Sequence, residues 1–118
     1  MRHHNTNRKF GRVRKQRKAL LRSLAVSLVD HERIETTEAR AKELRPFIEK
    51  MITKSKKDSV WTRRLLTSKL GSGADSTVKK LIEVIALKYK DRQGGYTRIT
   101  KLVARQGDAS LMAQIEFV

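Results

Sequence analysis

The sequence predicts an α+β fold: about four helices packed on a small sheet with a C-terminal antiparallel hairpin, preceded by a basic N-terminal arm. Apolar residues recur at helical spacing in segments between residues 14 and 90. After Gly94 and Gly95 the chain is rich in β-forming residues, and its end alternates apolar with polar side chains. Helices followed by a terminal sheet are typical of α+β proteins. A chain of 118 residues has the length of one domain, so we expect an arm over 1–12 and a single domain over 13–118.

The arm comes first, and its composition explains why no core is expected there. It lacks apolar periodicity, and besides Met1 its only large apolar side chain is Phe10. Such a segment is predicted to become ordered on a partner. Its arginines are also typical of a mitochondrial transit peptide, but Asn5, Asn7 and Gly11 interrupt any helix, so we expect the segment to be retained.

The first helix is predicted from about Arg14 to His31 and has two distinct faces. The apolar positions on one side are Leu20, Leu21, Leu24 and Leu28. The cations at four-residue spacing on another side are Arg14, Lys18 and Arg22. We therefore expect one face to pack and the other to meet anions.

A brief extended segment is predicted next, up to Thr36, and then a second helix that opens at Thr36 or Thr37 before Glu38. This helix keeps its apolar spacing as far as Lys56. Its apolar positions are Ala41, Leu44, Ile48, Met51 and Ile52. Pro46 removes a hydrogen bond and should kink the helix or split it near Arg45, and the continuing spacing favours a kink.

Two further helices and a hairpin complete the predicted fold. Ser59 is expected to cap a helix over Val60–Leu70 that Gly71 ends, with Leu65, Leu66 and Leu70 inward. Asp75 or Ser76 is expected to cap a fourth helix through about Lys90. Its apolar positions are Val78, Leu81, Ile82, Ile85 and Tyr89. Strands over 96–103 and 111–117 then form the hairpin across Gly107 and Asp108.

The charge distribution is the main functional signal. The chain has 28 Lys and Arg against 12 Asp and Glu, a formal net charge of +16. Residues 1–29 hold nine of these cations and no acid: Arg2, Arg8, Lys9, Arg12, Arg14, Lys15, Arg17, Lys18 and Arg22. Such a chain requires a polyanion, and no stretch reaches the roughly 18 to 20 apolar residues of a membrane span, so we expect no membrane partner. A basic arm that runs into a basic helix suits the phosphate-lined crevices of folded RNA.

Several other chemistries are disfavoured. The absence of cysteine excludes disulfides, cysteine-based zinc sites and thiol nucleophiles. His3 and His4, with only His31 elsewhere, form no spaced set of metal ligands. Nothing in the sequence orients the nearby residues Ser27, His31, Glu32 and Glu35 as a nucleophile with its base. We therefore expect no catalytic residue, cofactor, metal or small-molecule substrate.

Some alternatives stay open at this point. His3 and His4 are predicted to stack on bases or donate to phosphates, and Trp61 can either stack on a base or pack in a core or interface. The segment from Gly94 to Ile99 is either a plain turn into a strand or part of a second RNA contact, to which Arg92, Arg98, Lys101 and Arg105 bring positive charge. Net charge alone does not separate folded RNA from duplex DNA, so a nucleoid-type protein is the second hypothesis, and an RNA-modifying or RNA-cleaving enzyme is the disfavoured third.

Several ordered blocks of the sequence match a known family. They are 1–3, 8–9, 11–12, 17–22, 31–37, 41–46, 91–92, 94–99, Arg105 and 107–108. On these residues the chain resembles bacterial large-subunit ribosomal protein seventeen. The resemblance implies an α+β fold and a structural role on large-subunit rRNA near the nascent-chain exit region. It also implies neighbouring ribosomal proteins and a bacterial-type cytoplasmic ribosome. It further implies that Arg2, His3, Arg8, Lys9, Arg12 and Arg17 lie against rRNA.

Taken together, charge and resemblance give one set of expected RNA-binding residues. It consists of Arg2, His3, His4, Arg8, Lys9, Arg12, Arg14, Lys15, Arg17, Lys18, Arg22 and Arg98.

Overall fold

The structure is a computed structural model that describes residues 3–4 and 6–118, so the predicted RNA contact Arg2 lies outside the described residues. The elements follow in the order α1 (Arg14–His31), β1 (Arg33–Thr37), α2 (Glu38–Ser55), α3 (Val60–Leu70), α4 (75–88), β2 (Thr97–Lys101) and β3 (Met112–Phe117). The predicted α+β class, with four helices and a C-terminal antiparallel hairpin, is confirmed. Within α4 the stretch Leu81–Ile85 is π-helical and is flanked by the α-helical segments Asp75–Lys80 and Ala86–Lys88.

The three strands form one antiparallel sheet in the order β1-β3-β2. The register aligns Ile34 with Ile115 and Ile115 with Ile99 across the sheet. Ala113 and Ile115 are fully buried on the central strand, because the side chains of this face pack against the helices. The strand predicted before the second helix is thus an edge of the same sheet as the hairpin.

Helix capping agrees with the sequence at two helices and differs at a third. The hydroxyl of Thr37 accepts a hydrogen bond from the Arg40 amide at 3.4 Å, and that of Ser59 accepts one from the Thr62 amide at 3.1 Å. α2 passes through Pro46 without a break, so the split considered near Arg45 does not occur. The predicted cap of α4 is wrong, because Asp75 is already helical and Ala74 occupies the N-cap position with no side-chain hydrogen bond.

The core lies between α2, the inner face of the sheet and the other helices. Its largest contribution comes from one face of α2, whose side chains Ala41, Leu44, Ile48 and Ile52 are fully buried. The buried residues of α1, in contrast, are Ala25, Leu28 and Val29, all in its C-terminal half. Leu20, Leu21 and Leu24, which the sequence placed inward, are only half-buried. The N-terminal half of α1 therefore extends past the core, and this places its cations at the surface.

Candidate RNA interface

The N-terminal half of α1 carries its exposed cations along one broad side of the helix. Arg14, Lys15 and Lys18 are all exposed and lie within about 100° of one another around the helix axis. Arg14 and Lys18 share a helix face with Ala25, which is buried farther along α1. A face that is cationic at Arg14 and apolar at Ala25 has left the core between these two positions, so the protruding part of α1 can present these cations to a partner.

The N-terminal arm is partly held against α2. The guanidinium of Arg8 donates to the Glu43 carboxylate at 3.0 Å. Nearby, a hydrogen bond from Lys42 at 2.7 Å lowers the pKa of the Glu38 carboxyl, partial burial opposes the shift, and the charges of Lys42, Lys101 and Arg8 add to it. The basic residues of the arm that are exposed and have no ion pair with any described residue are His3, His4 and Lys9. The acids at the start of α2 therefore neutralise Arg8 and leave Lys9 available.

Two arginines hold the turn that joins the arm to α1. The side chain of Arg12 donates to the Phe10 carbonyl at 2.8 Å, and that of Arg17 donates to the Arg12 carbonyl at 3.0 Å. Both side chains are half-buried. The turn itself needs positive φ at Phe10 and at Gly11, where glycine adopts it without strain. Arg12 and Arg17 therefore fix the direction of the arm, and each retains further N–H donors for an anion.

Arg22 packs α1 against the end of α3. Its Nε donates to the Lys69 carbonyl at 2.9 Å and its Nη2 to the Ser68 carbonyl at 3.0 Å. Both carbonyls lie in the last turn of α3, where backbone oxygens have no partner within the helix. This role could not be predicted from the sequence, because the contact joins residues more than 40 positions apart.

Arg98 lies on β2 and is exposed at the outer face of the sheet. The carboxylate of Glu116 on β3 lies between two arginines, 3.7 Å from Arg98 and 3.5 Å from Arg33. Both guanidiniums are largely exposed. The side chain of Arg98 therefore shares Glu116 with Arg33 and makes no polar contact with a described residue of the arm or of α1.

Comparison with known proteins decides the family. The family model described as Ribosomal protein L17 matches residues 20–118. The chain belongs to the ribosomal protein L17 family. A Nautilia profundicola relative named Large ribosomal subunit protein bL17 is 53% identical over 120 residues, which cover all of this chain and 98% of the relative. Relatives of the same name from Anaplasma marginale and Rickettsia bellii are 51% and 48% identical over the whole chain and over 90% and 82% of their own lengths.

L17 membership confirms the resemblance seen in the sequence and assigns the chain to a structural class of ribosomal proteins, not to an enzyme class. The family model begins at residue 20 and so leaves out the arm and the first turns of α1, whereas the three relatives align with the chain from end to end. Similarity to the L17 proteins therefore includes the segment that carries most of the expected RNA contacts.

Two structural findings bear on the other chemistries considered for this L17 chain. Among residues 3–4 and 6–118 no group of three or more His, Cys, Asp or Glu side chains is arranged to hold a metal ion. None of the described helices combines the length and the apolar character that crossing a membrane would require.

For Trp61 the structure excludes core packing and leaves two alternatives, base stacking and packing at an interface. Trp61 is 70% exposed at the start of α3, so it is not a core residue.

The structure also identifies cations that the sequence analysis did not select. Lys50, Lys54 and Lys69 lie around a groove between α2 and α3. Their positions on the outward side of amphipathic helices were readable from the sequence, but their convergence depends on how the two helices pack.

Proposed function

We propose that this chain is a structural constituent of the large ribosomal subunit that binds large-subunit rRNA through its N-terminal arm and the N-terminal half of α1. Residues 1–12 act as the RNA-binding arm, and residues 13–118 form the single domain that positions it. The observation that carries the proposal is a set of exposed cations without an ion pair to any described residue: Lys9, Arg14, Lys15 and Lys18.

These cations are suited to the phosphates of folded RNA. They occupy one continuous stretch of chain that protrudes from the core and holds no acid. Phosphate contacts position a protein on nucleic acid without reading its sequence, and they need mobile or protruding cations more than a fixed pocket. Arg12, Arg17 and Arg22 stabilise this part of the fold by donating hydrogen bonds to backbone carbonyls. The proposed interface therefore has a charged outer part and a structural inner part.

The finer placement rests on L17 membership and on the resemblance described above. We expect the protein to lie near the nascent-chain exit region of a bacterial cytoplasmic ribosome, next to other large-subunit proteins. Chemical crosslinking of intact large subunits, followed by mapping of the crosslinked rRNA and proteins, tests this placement. Crosslinks confined to sites remote from the exit region would contradict it.

The first experiment is sedimentation of the tagged protein through sucrose gradients at moderate and then high salt. We expect a roughly stoichiometric peak with large subunits that persists at high salt, since a built-in component is held by many contacts. Treatment of the lysate with DNase is the control. Loss from the subunit peak at high salt, or a peak that disappears with DNase, would favour the nucleoid-type alternative instead.

A further inference from the structure

A groove between α2 and α3 lies outside the arm and outside the cations selected from the sequence. Its cavity volume is about 280 Å³. The apolar side chains that line it are Pro46, Phe47, Met51 and Leu66, and the cations around it are Lys50, Lys54 and Lys69. An apolar floor within a ring of positive charge is an unusual surface for a helix pair that only faces water.

The three lysines of this groove have no ion pair with a described residue, although Glu49 lies beside Lys50 and Lys54 in the neighbouring hollow, where it accepts a hydrogen bond from the Tyr96 amide at 2.9 Å. The one carboxylate in the lining belongs to Glu43, and Arg8 holds it at 3.0 Å. The groove therefore offers three lysines to an anion and no unpaired acid to repel it.

The groove is continuous with the proposed RNA interface. A second hollow between α1 and the end of α3 is lined by Lys18, Leu21 and Arg22 together with Phe47 and Lys69. Phe47 and Lys69 thus line both hollows, and Lys18 belongs to the exposed cations of α1. A ligand chain bound along α1 reaches the α2–α3 groove without leaving positively charged surface.

We propose that the α2–α3 groove binds an unpaired nucleotide of RNA, with the base against Phe47 and the adjoining phosphates on Lys50, Lys54 and Lys69. This inference rests on the proposed function and adds to it a site for single-stranded RNA. Aromatic side chains hold unpaired bases by stacking, and lysines beside them hold the backbone. Phe47 is half-buried, so part of its ring is accessible from the groove.

A double variant tests the phosphate contacts. The probe is purified full-length large-subunit rRNA, and its binding to the full chain is measured over a range of salt concentrations. Lys50→Gln with Lys54→Gln should weaken binding and reduce the slope of log K against log salt by about 1.4, since each single-stranded phosphate contact contributes about 0.7. The matched control is Lys79→Gln with Lys90→Gln, which removes the same charge from exposed positions outside both hollows and should leave the slope unchanged.

A second pair of measurements tests the base contact. Phe47→Leu keeps an apolar side chain but removes the ring. We expect the affinity for rRNA to fall by about tenfold, with the slope of log K against log salt unchanged, because base stacking releases no counterions. Ultraviolet crosslinking of the wild-type complex, followed by RNase and trypsin digestion, gives a readout that does not depend on the variant's stability. The nucleotide adduct should appear on peptide 43–50, which trypsin leaves uncut at Arg45 because Pro46 follows.

The outcomes separate this inference from the proposed function. Failure of the wild-type chain to bind rRNA overturns both. Normal wild-type binding with equal slopes for the groove and control variants, and no adduct on peptide 43–50, overturns the groove alone. A groove variant that binds free rRNA normally but is not incorporated into large subunits also overturns it, because the groove would then hold a protein segment.

Discussion

Arg22 illustrates how a cation in a basic segment can serve the fold. Its guanidinium spans the carbonyls of Ser68 and Lys69, a geometry that needs two N–H donors in a fixed plane. Lysine carries the same charge but has a single ammonium group. Arg22→Lys should therefore lower the free energy of unfolding by about 1 kcal/mol and the melting temperature by about 4 °C. Thermal unfolding followed by circular dichroism measures both.

The control for Arg22 is Arg14→Lys on the same helix. Arg14 is exposed and makes no side-chain hydrogen bond to another described residue, so its replacement should change stability by less than about 0.5 kcal/mol. Equal loss of stability in the two variants would show that helix propensity, and not the contact with α3, accounts for the effect.

Ile85 and Val84 provide a second contrast at neighbouring positions of the π-helical turn. Ile85 is 2% exposed and Val84 is 52% exposed. Ile85→Asp places a carboxylate in the core, at a cost of several kcal/mol, which is comparable with the roughly 5–15 kcal/mol stability of a whole domain. We expect this variant to be unfolded by circular dichroism and Val84→Asp to melt almost normally. A normal melting curve for Ile85→Asp would contradict the burial of that side chain.

Among the elements, the arm is the one whose removal separates binding from folding. Deleting residues 1–12 removes Arg2, Arg8, Lys9 and Arg12 but no residue of the core. The exposed pair between Arg8 and Glu43 contributes at most about 1 kcal/mol, so the helices should remain folded. The affinity for rRNA should fall. The magnitude of the slope of log K against log salt should decrease by up to about 3 if all four cations contact phosphates.

The deletion is measured by helical circular dichroism and by filter binding to large-subunit rRNA. A matched control is the full chain with Thr6→Ala and Asn7→Ala, which alters exposed positions of the arm but keeps its cations and histidines. Unchanged affinity of the truncated chain, with an unchanged spectrum, would exclude the arm from the interface.

The helices and strands could be predicted where local pattern decides them. Thr37 and Ser59 cap their helices as their residue types indicate, and the apolar residues of α4, such as Leu81 and Ile85, are buried as their spacing indicates. The π-helical turn was not predictable, because widening a helix by one residue depends on how its neighbours pack. The cap at Ala74 was missed because Asp75 and Ser76 have better capping side chains but lie one and two residues too late.

The candidate site was predictable only in part, because tertiary packing decides which side chains from distant parts of the sequence come together. Charge density along the chain identifies the arm and α1, since these cations are consecutive in sequence. The α2–α3 groove combines Lys50 and Lys54 with Lys69 and the ring of Phe47, and only tertiary packing brings these side chains together. Arg22 shows the reverse case, in which packing gives a cation a structural partner that the sequence does not indicate.

At the scale of the whole molecule, the net charge of +16 makes stability depend on ionic strength. No acid lies in residues 1–29, so the cations of the arm and of the N-terminal half of α1 repel one another, and among the described cations of this stretch only Arg8 has an ion pair, with Glu43. Added salt screens this repulsion, because the Debye length falls from about 10 Å at 0.1 M to about 3 Å at 1 M. We expect the melting temperature of the free protein to rise between about 0.1 M and about 1 M sodium chloride.

The control for this salt dependence is a variant in which Arg14, Lys15 and Lys18 are each replaced by glutamine. These side chains are exposed, so the variant should be slightly more stable than the wild type at low salt and should gain less from added salt. Screening also weakens exposed ion pairs such as Arg63 with Asp58 at 3.0 Å. A melting temperature that falls with salt would mean that such pairs outweigh the repulsion. The repulsion among the cations of α1 would then be smaller than the stabilisation by ion pairs, and self-repulsion alone would not require a polyanion partner.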